Sequence, residues 1–213
     1  MIEKFKTIMQ KGTAEIEEKK SRFIADIFYV QNVEEAEACI QKVKKRYFDA
    51  RHHCYAYRII EENGVKEKQS DDGEPSGTAG GPMLNILLRN DLCQVLVVVT
   101  RYFGGTLLGT GGLARAYSEA TLQAIQNSKI VKQELGYEIE LTIDYKDLEK
   151  FKFYCHKKGI CITNTKYETN VTCNIEVNFE EKEELITEKQ RDVQIIKYAV
   201  LREKYIKGKI ENT

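Results

Sequence analysis

Residues 95–117 read Val-Leu-Val-Val-Val-Thr-Arg-Tyr-Phe-Gly-Gly-Thr-Leu-Leu-Gly-Thr-Gly-Gly-Leu-Ala-Arg-Ala-Tyr, and the first part of the chain is expected to fold around them. The unbroken apolar and β-branched run from Val95 to Val99 predicts a buried strand. Apolar residues at helical spacing predict a helix over 113–126. A glycine-rich loop joins the strand to the helix.

This loop is a candidate anion site. Glycine lets a ligand approach the backbone closely, and backbone N–H groups at a helix N-terminus favour negative charge. The loop lacks the Gly-Lys-Ser/Thr of the nucleoside-triphosphate P-loop and the third glycine of the dinucleotide fingerprint. Glycine-rich turns also occur without a ligand, and the sequence leaves that alternative open. The residues assigned to anion or ligand binding are Arg101, Gly104, Gly105, Gly109, Gly111, Gly112 and Arg115.

The composition is that of a soluble globular protein. Of 213 residues, 42% are hydrophobic and 31% are charged, and the net charge is zero. No apolar run approaches the roughly 18 residues of a membrane span. The six cysteines show no Cys-x-x-Cys spacing, which argues against a disulfide framework or a zinc site. We expect a cytoplasmic protein with no membrane contact, no metal and no cofactor; the sequence does not indicate an oligomeric state.

Two α+β domains are expected, at residues 1–130 and 135–213, with a boundary at 128–136. In the second domain, Gly159 is expected to end the first helix, and the β-α-β-β-α-β order is ferredoxin-like. The elements predicted for the first domain are an edge strand at 5–18, strands at 22–30, 50–60 and 66–70, a turn at Asn63-Gly64, a helix capped by Asn32 and a helix at 83–88. Those predicted for the second are strands at 137–143, 160–167, 170–179 and 196–205 and helices at 146–158 and 181–190.

Three polar segments of the first domain could carry chemistry. They are His52-His53, the acidic run Asp71-Asp72-Gly73-Glu74, and Arg101 with the glycine loop. His52 with Asp71 or Asp72 is a candidate pair for general acid–base catalysis. Alternatively, the carboxylates cap a turn or pair with Arg101. A metal site is disfavoured, because adjacent histidines on a strand face opposite sides.

Cations and aromatic rings near residues 44–57 are candidates for binding nucleic acid, since RNA-binding proteins combine the two. The same basic cluster also suits the negative end of a helix. Neither domain is strongly basic: residues 1–130 hold 18 Lys and Arg against 17 Asp and Glu. The candidate residues are Lys44, Lys45, Arg46, Arg51, Tyr55 and Tyr57.

Together these motifs resemble those of the YigZ/IMPACT family. The resemblance covers the first domain in order, and the length and second-domain pattern are similar to those of bacterial two-domain members. The matching segments are Ser21-Arg22-Phe23-Ile24-Ala25, Ala50-Arg51-His52-His53-Cys54, Ser70-Asp71-Asp72-Gly73-Glu74-Pro75, Gly77-Thr78-Ala79-Gly80, Arg101-Tyr102-Phe103-Gly104-Gly105 and Leu107-Leu108-Gly109-Thr110-Gly111-Gly112-Leu113.

The resemblance implies a two-layer first domain with the fold of ribosomal protein S5 domain 2. It also implies a ferredoxin-like second domain similar to domains of elongation factor G. Eukaryotic relatives act as regulators of translation, through an additional N-terminal domain.

The function expected is therefore regulation of translation, by binding RNA, the ribosome or a translation factor. One alternative is an enzyme acting on a phosphorylated or anionic small ligand at the 101–115 loop. Another is a protein-interaction adaptor that binds no nucleic acid, which the zero net charge favours.

Overall fold

The computed structural model describes residues 2–187 and 193–208. These form two compact units, at residues 1–131 and 132–213. The first unit contains β1 (Lys4–Gln10), β2 (Gly12–Glu18), β3 (Ser21–Tyr29), α1 (Val33–Arg46), β4 (His52–Glu61), β5 (Gly64–Ser70), α2 (Gly80–Arg89), β6 (Val95–Tyr102) and α3 (Gly109–Gln126). β7 (Lys129–Ile143) begins three residues before the second unit. The second unit contains the rest of β7 and then α4 (Leu148–Lys158), β8 (Cys161–Tyr167), β9 (Val171–Asn178), α5 (Phe179–Ile186) and β10 (Ile195–Lys207).

The first unit is built on a five-stranded sheet with the order β2-β3-β6-β4-β5, in which all neighbours are antiparallel. The predicted apolar strand is β6, at its centre. Val95, Val97 and Val99 belong to the cluster formed with α2 and α3, whereas Leu96 and Val98 belong to the cluster formed with α1. Helices therefore cover both faces of the sheet. The unit has three layers, and the two-layer expectation is wrong, because a central strand that is apolar on both faces needs cover on both.

Three elements of the first unit differ from the sequence prediction by three residues or more. The helix predicted at 83–88 is α2, which begins three residues earlier, at Gly80. The single strand predicted at 5–18 is two strands, β1 and β2. The helix predicted at 113–126 begins four residues earlier, at Gly109. Its apolar periodicity starts only where the helix meets the core, at Leu113, so the first turn gives no hydrophobic signal.

Local signals in the sequence predicted one helix cap correctly and one turn to within a residue. Asn32 caps α1, its side chain accepting a hydrogen bond from the backbone N–H of Glu35. The β4–β5 turn falls on Glu62 and Asn63, one residue earlier than predicted, because Gly64 already pairs with Glu61.

The second unit shows the predicted β-α-β-β-α-β order. Its strands lie in the order β10-β7-β9-β8, again with antiparallel neighbours. One face of β7 and β9 packs against α4 and α5. Gly159 ends α4 with φ of 69°, as expected. The predicted helix 181–190 is observed from Phe179 to Ile186, and residues 188–190 lie outside the described residues.

Gly104 illustrates a close approach that no other residue allows. A Cβ atom there would overlap the backbone of Lys20 and Ser21, whereas a Cβ at Gly111 would meet nothing closer than the Arg115 side chain at 3.9 Å. Gly104→Ala is therefore expected to lower the free energy of unfolding by about 1–3 kcal/mol. Gly111→Ala, which improves helix propensity in α3, should leave it unchanged or raise it by up to about 1 kcal/mol. Urea denaturation of both variants measures the difference; equal effects would contradict the structure.

Candidate functional site

Four sequence segments meet at the end of the first unit's sheet where β3 and β4 begin and β6 ends. Strand register sets Arg101 of β6 directly between Phe23 of β3 and His52 of β4. The acidic run 71–74 follows β5 and returns to the same end. His52 and Arg101, predicted to lie near each other, are thus on neighbouring strands.

The centre of this site is a buried ion pair. Arg101 Nη1 lies 2.7 Å from Glu74 Oε1, and the two residues are only 6% and 8% exposed. The Tyr117 hydroxyl donates to the same Glu74 oxygen at 2.9 Å, and Arg101 Nη2 donates to Ser21 Oγ at 3.3 Å. Arg101 is therefore neutralised inside the protein, and an anion at the glycine loop would have to compete with Glu74 for it.

Glu74 was not among the predicted site residues, although it lies in the acidic run. The sequence did hold a signal for Glu74. Arg101 follows the apolar run of β6, and an arginine in such a buried position needs a counter-charge nearby. The His52 ring also points towards it, with Nε2 4.0 Å from Glu74 Oε1. Since His52 Nδ1 lies 2.9 Å from the Asp72 carbonyl oxygen, Nδ1 carries the proton in the neutral ring. If His52 takes part in proton transfer, its partner is Glu74.

Asp71 holds the acidic loop in place. Its carboxylate accepts hydrogen bonds from the backbone N–H groups of Gly77, Ala79 and Gly80 at 2.8–2.9 Å. Burial opposes ionisation of Asp71, but these three donors outweigh it, and its pKa lies below the ordinary value. The carboxylate therefore does what the structural alternative expected: it caps a turn.

Asp72 has a similar role between two other elements. Its carboxylate accepts from the His53 backbone N–H at 2.7 Å and from Lys44 Nζ at 3.0 Å. Burial raises the pKa of Asp72, and these two partners outweigh it and lower the pKa overall. Neither aspartate side chain contacts the His52 ring in the described hydrogen bonds, so the predicted pairing of His52 with these carboxylates is not seen.

Cys54 lies beside the ion pair but is unsuited to nucleophilic chemistry. Its Sγ is 2.9 Å from the Asp71 carbonyl oxygen and 3.3 Å from the Tyr117 hydroxyl. Burial raises the pKa of the thiol to about 12, so it is protonated at neutral pH. Across the described residues, no group of three or more His, Cys, Asp or Glu side chains could hold a metal ion.

The glycine loop is split between a turn and a helix. Gly104 N–H donates to Ser21 Oγ at 3.2 Å, and Gly105 has φ of 84°. Gly109, Gly111 and Gly112 form the first turn of α3, which has no side-chain cap. Of the two arginines, only Arg115 is exposed beside these N–H groups.

Comparison with known proteins decides the family. The sequence profile of the Impact N-terminal domain matches residues 19–125, and a domain of unknown function, DUF1949, matches residues 141–188. The chain belongs to the IMPACT family. It is 39% identical to IMPACT family member YvyE of Bacillus subtilis, over 86% of this chain and 83% of that protein.

Two further comparisons, one with a family member and one with a solved structure, extend over most of the chain. Escherichia coli IMPACT family member YigZ is 36% identical, over 74% of this chain and 78% of its own. A crystal structure of a hypothetical protein superposes with a TM-score of 0.63 at 32% identity, covering 92% of this chain and 97% of the other. The resemblance inferred from the sequence motifs is confirmed.

The structure separates the predicted nucleic-acid residues of this IMPACT-family chain into available and engaged groups. Lys45 and Arg51 are exposed, but Lys44 is paired with Asp72. Arg46 Nη1 lies 3.7 Å from Asp26 Oδ1 and remains half exposed. Lys45, Arg46 and Arg51 can therefore still contact a polyanion without disturbing the core.

The two predicted stacking rings are not available. Tyr57 is 1% exposed beneath α1, and Tyr55 is half-buried with its ring stacked on that of Tyr57 at 6.5 Å. Tyr57 as a base-stacking residue is therefore a wrong prediction, since strand alternation does not reveal which faces a helix covers. In the described residues, no helix is both long and apolar enough to span a bilayer.

The ion pair gives a direct stability test. Glu74→Ala leaves the Arg101 charge buried without a partner, and should lower the free energy of unfolding by about 3–5 kcal/mol. The matched control is Glu149→Ala, which removes the exposed pair with Lys152 and should cost far less stability than Glu74→Ala. Chemical denaturation followed by circular dichroism measures both. A Glu74→Ala loss no larger than that of the control would contradict the role given to this pair.

Proposed function

We propose that this protein regulates translation and associates with the ribosome. The contact is made by exposed cations and rings at the end of the protein's first sheet where β3 and β4 begin and β6 ends. The observation that carries the proposal is one surface, formed by Arg22, Phe48, Arg51, Tyr102 and Phe103, here called the Tyr102 surface. Its ring and cation side chains match what single-stranded RNA requires, which is stacking planes beside positive charge.

The Tyr102 surface is held together by contacts among its members. The Arg22 guanidinium lies over the Tyr102 ring, 4.9 Å from its centroid. The Tyr102 hydroxyl donates to Asp49 at 2.7 Å, which fixes the ring beside the 48–51 segment. Phe48 and Phe103 are 83% and 46% exposed. Rings this exposed next to solvent-accessible guanidinium groups favour contact with a partner over a purely structural role.

The fold supports the same proposal by analogy. We assign the first unit to the ribosomal protein S5 domain 2-like fold, extended by α1 on the second face. We assign the second unit to the ferredoxin-like fold seen in elongation factor G, on its element order and β10-β7-β9-β8 strand order. Family membership supports translation regulation, because the eukaryotic relatives it resembles are regulators of translation.

We further propose that the two units are separate domains, as residues 1–130 and 135–213 were expected to be. Each has its own apolar core. The second fragment should begin at Lys132, because β7 pairs with β10 from Gln133 onwards. Residues 1–131 and 132–213, expressed separately, should each unfold cooperatively by circular dichroism. A fragment without a thermal transition would show that the units depend on each other.

Ribosome association gives the functional test. Because the net charge is zero, binding must come from local charge, and should be present at about 50 mM salt and largely lost at about 300 mM. Co-sedimentation with ribosomes measures it. The variant Arg22→Glu/Lys45→Glu/Arg51→Glu should lose the association at low salt.

The matched control is Lys146→Glu/Lys150→Glu/Lys157→Glu, which makes the same charge change on exposed residues of the second unit. It should retain association. Absence of association at low salt, or equal loss in both variants, would overturn the proposal. Association that resists both salt and the first variant would instead identify a protein-interaction adaptor.

A further inference from the structure

The edge strands of this protein are protected unequally. A free sheet edge presents unpaired backbone groups, and natural proteins discourage pairing there with charged side chains. β2 carries Glu15, Glu17 and Glu18 at the edge of the first sheet, and β5 at the opposite edge carries Lys66, Glu67 and Lys68. β8, at one edge of the second sheet, is mostly polar.

β10, the other edge of the second sheet, carries less charge in its first half than these strands, although its pairing with β7 shifts register between Ile195 and Lys197 and between Val200 and Arg202. Within the described strands of that sheet, β10 pairs only with β7. Its first seven residues, Ile195-Ile196-Lys197-Tyr198-Ala199-Val200-Leu201, contain a single charge. Four large apolar side chains there are 45–51% exposed: Ile196, Tyr198, Val200 and Leu201. A β-prone apolar segment of this length at an open edge is a template for another strand.

The register shows which face these side chains extend. Tyr198 is opposite Leu141 and Val200 is opposite Ile139, and both partners lie in the core beneath the helices. Tyr198 and Val200 thus continue the apolar face of the sheet outwards. Lys197 and Ala199 lie on the other face, opposite Thr142 and Glu140. An added strand would complete an apolar face that this sheet leaves unfinished.

We propose that β10 pairs with β10 of a second copy of this chain, antiparallel and about a two-fold axis at Tyr198. In this register Tyr198 faces its own counterpart, and Lys197 faces Ala199, both within the segment 197–200 that pairs regularly with β7. No like charges are directly opposite in that segment, and Val200 of each copy lies beside Ile196 of the other. The exposed apolar side chains of one copy are covered by those of the other.

Other registers fit less well, which favours this one. An axis at Ala199 sets Ile196 against Arg202. An axis between Val200 and Leu201 sets Lys197 against Lys204, and like charges directly opposite destabilise a strand pair. The same self-complementarity favours a second copy over an extended peptide of another protein, because an isologous contact needs a segment that matches itself.

The pairing is short, so the dimer should be weak. Seven residues from each copy bury less than the roughly 1,200 Å² of a standard stable interface. Sedimentation velocity of the full chain, from about 1 to about 200 µM, should show a reversible rise from 24.6 kDa to twice that mass. A single monomeric species across this range would overturn the proposal.

Charge at the edge should abolish the dimer without unfolding the protein, since the residues are exposed. Tyr198→Lys and Val200→Lys should each remain monomeric at the highest concentration. The matched control is Phe153→Lys, which places the same charge on a 69% exposed ring of α4 and should still dimerise. Loss of the dimer in the control alone, or in none of the variants, would exclude β10 as the interface.

A cross-linking experiment tests the register itself. Opposite Cα atoms in an antiparallel pair are about 4.5–5.5 Å apart, a separation that a disulfide spans. In a Cys161→Ser background, which removes the exposed native thiol, Tyr198→Cys should form a disulfide-linked dimer under mild oxidation. Lys197→Cys should not, because its counterpart lies diagonally across the pair. Preferential cross-linking at residue 197 would refute the two-fold axis at Tyr198.

Discussion

The buried pair between Arg101 and Glu74 holds together the end of the first unit's sheet where β3 and β4 begin and β6 ends. Removing two charges from water is costly, and the cost is recovered only when geometry and extra hydrogen bonds are good. Here Glu74 also accepts from Tyr117 of α3, and Arg101 also donates to Ser21 of β3. The pair therefore ties β6, β3, α3 and the acidic loop together, and each of these elements has to arrive in the right place for the charges to be satisfied.

That requirement explains features that otherwise look unrelated. Glu74 can reach Arg101 only if the loop before it turns sharply, and Asp71 fixes that turn through three backbone N–H groups. Gly73 has φ of 87°. A Cβ atom added at Gly73 would lie 3.5 Å from His52 Nδ1, so the loop packs directly on the imidazole ring. Gly104 lets the end of β6 pass against residues 20–21, where Ser21 binds both Arg101 and Gly104 N–H. The glycines and carboxylates of these motifs thus all help to position the ion pair between Arg101 and Glu74.

Local signals in the sequence predicted most elements, and long-range partners escaped them. The apolar run of β6, the Asn32 cap and Gly159 at the end of α4 each depend on neighbouring residues, and each was recognised. Glu74 was missed as a site residue because its partner is 27 residues away. Tyr57 was assigned to a surface because strand alternation defines two faces without showing that α1 covers one of them. The start of α3 at Gly109 was missed because glycines carry no hydrophobic period.

Some polar residues of the family motifs are buried and others are exposed, and the two groups have different roles. Arg101 and Glu74 pair with each other, Asp71 accepts from backbone N–H groups, and Asp72 binds Lys44 and the His53 N–H. Burial keeps the Cys54 thiol protonated by raising its pKa. The groups most suited to acid–base or nucleophilic chemistry are thus committed to the fold. The residues left facing solvent, such as Arg22, Arg51 and Phe103, are cations and rings suited to contact with a partner. Exposed cations beside exposed rings are what contact with single-stranded nucleic acid requires, and this surface is the basis of the proposed association with the ribosome.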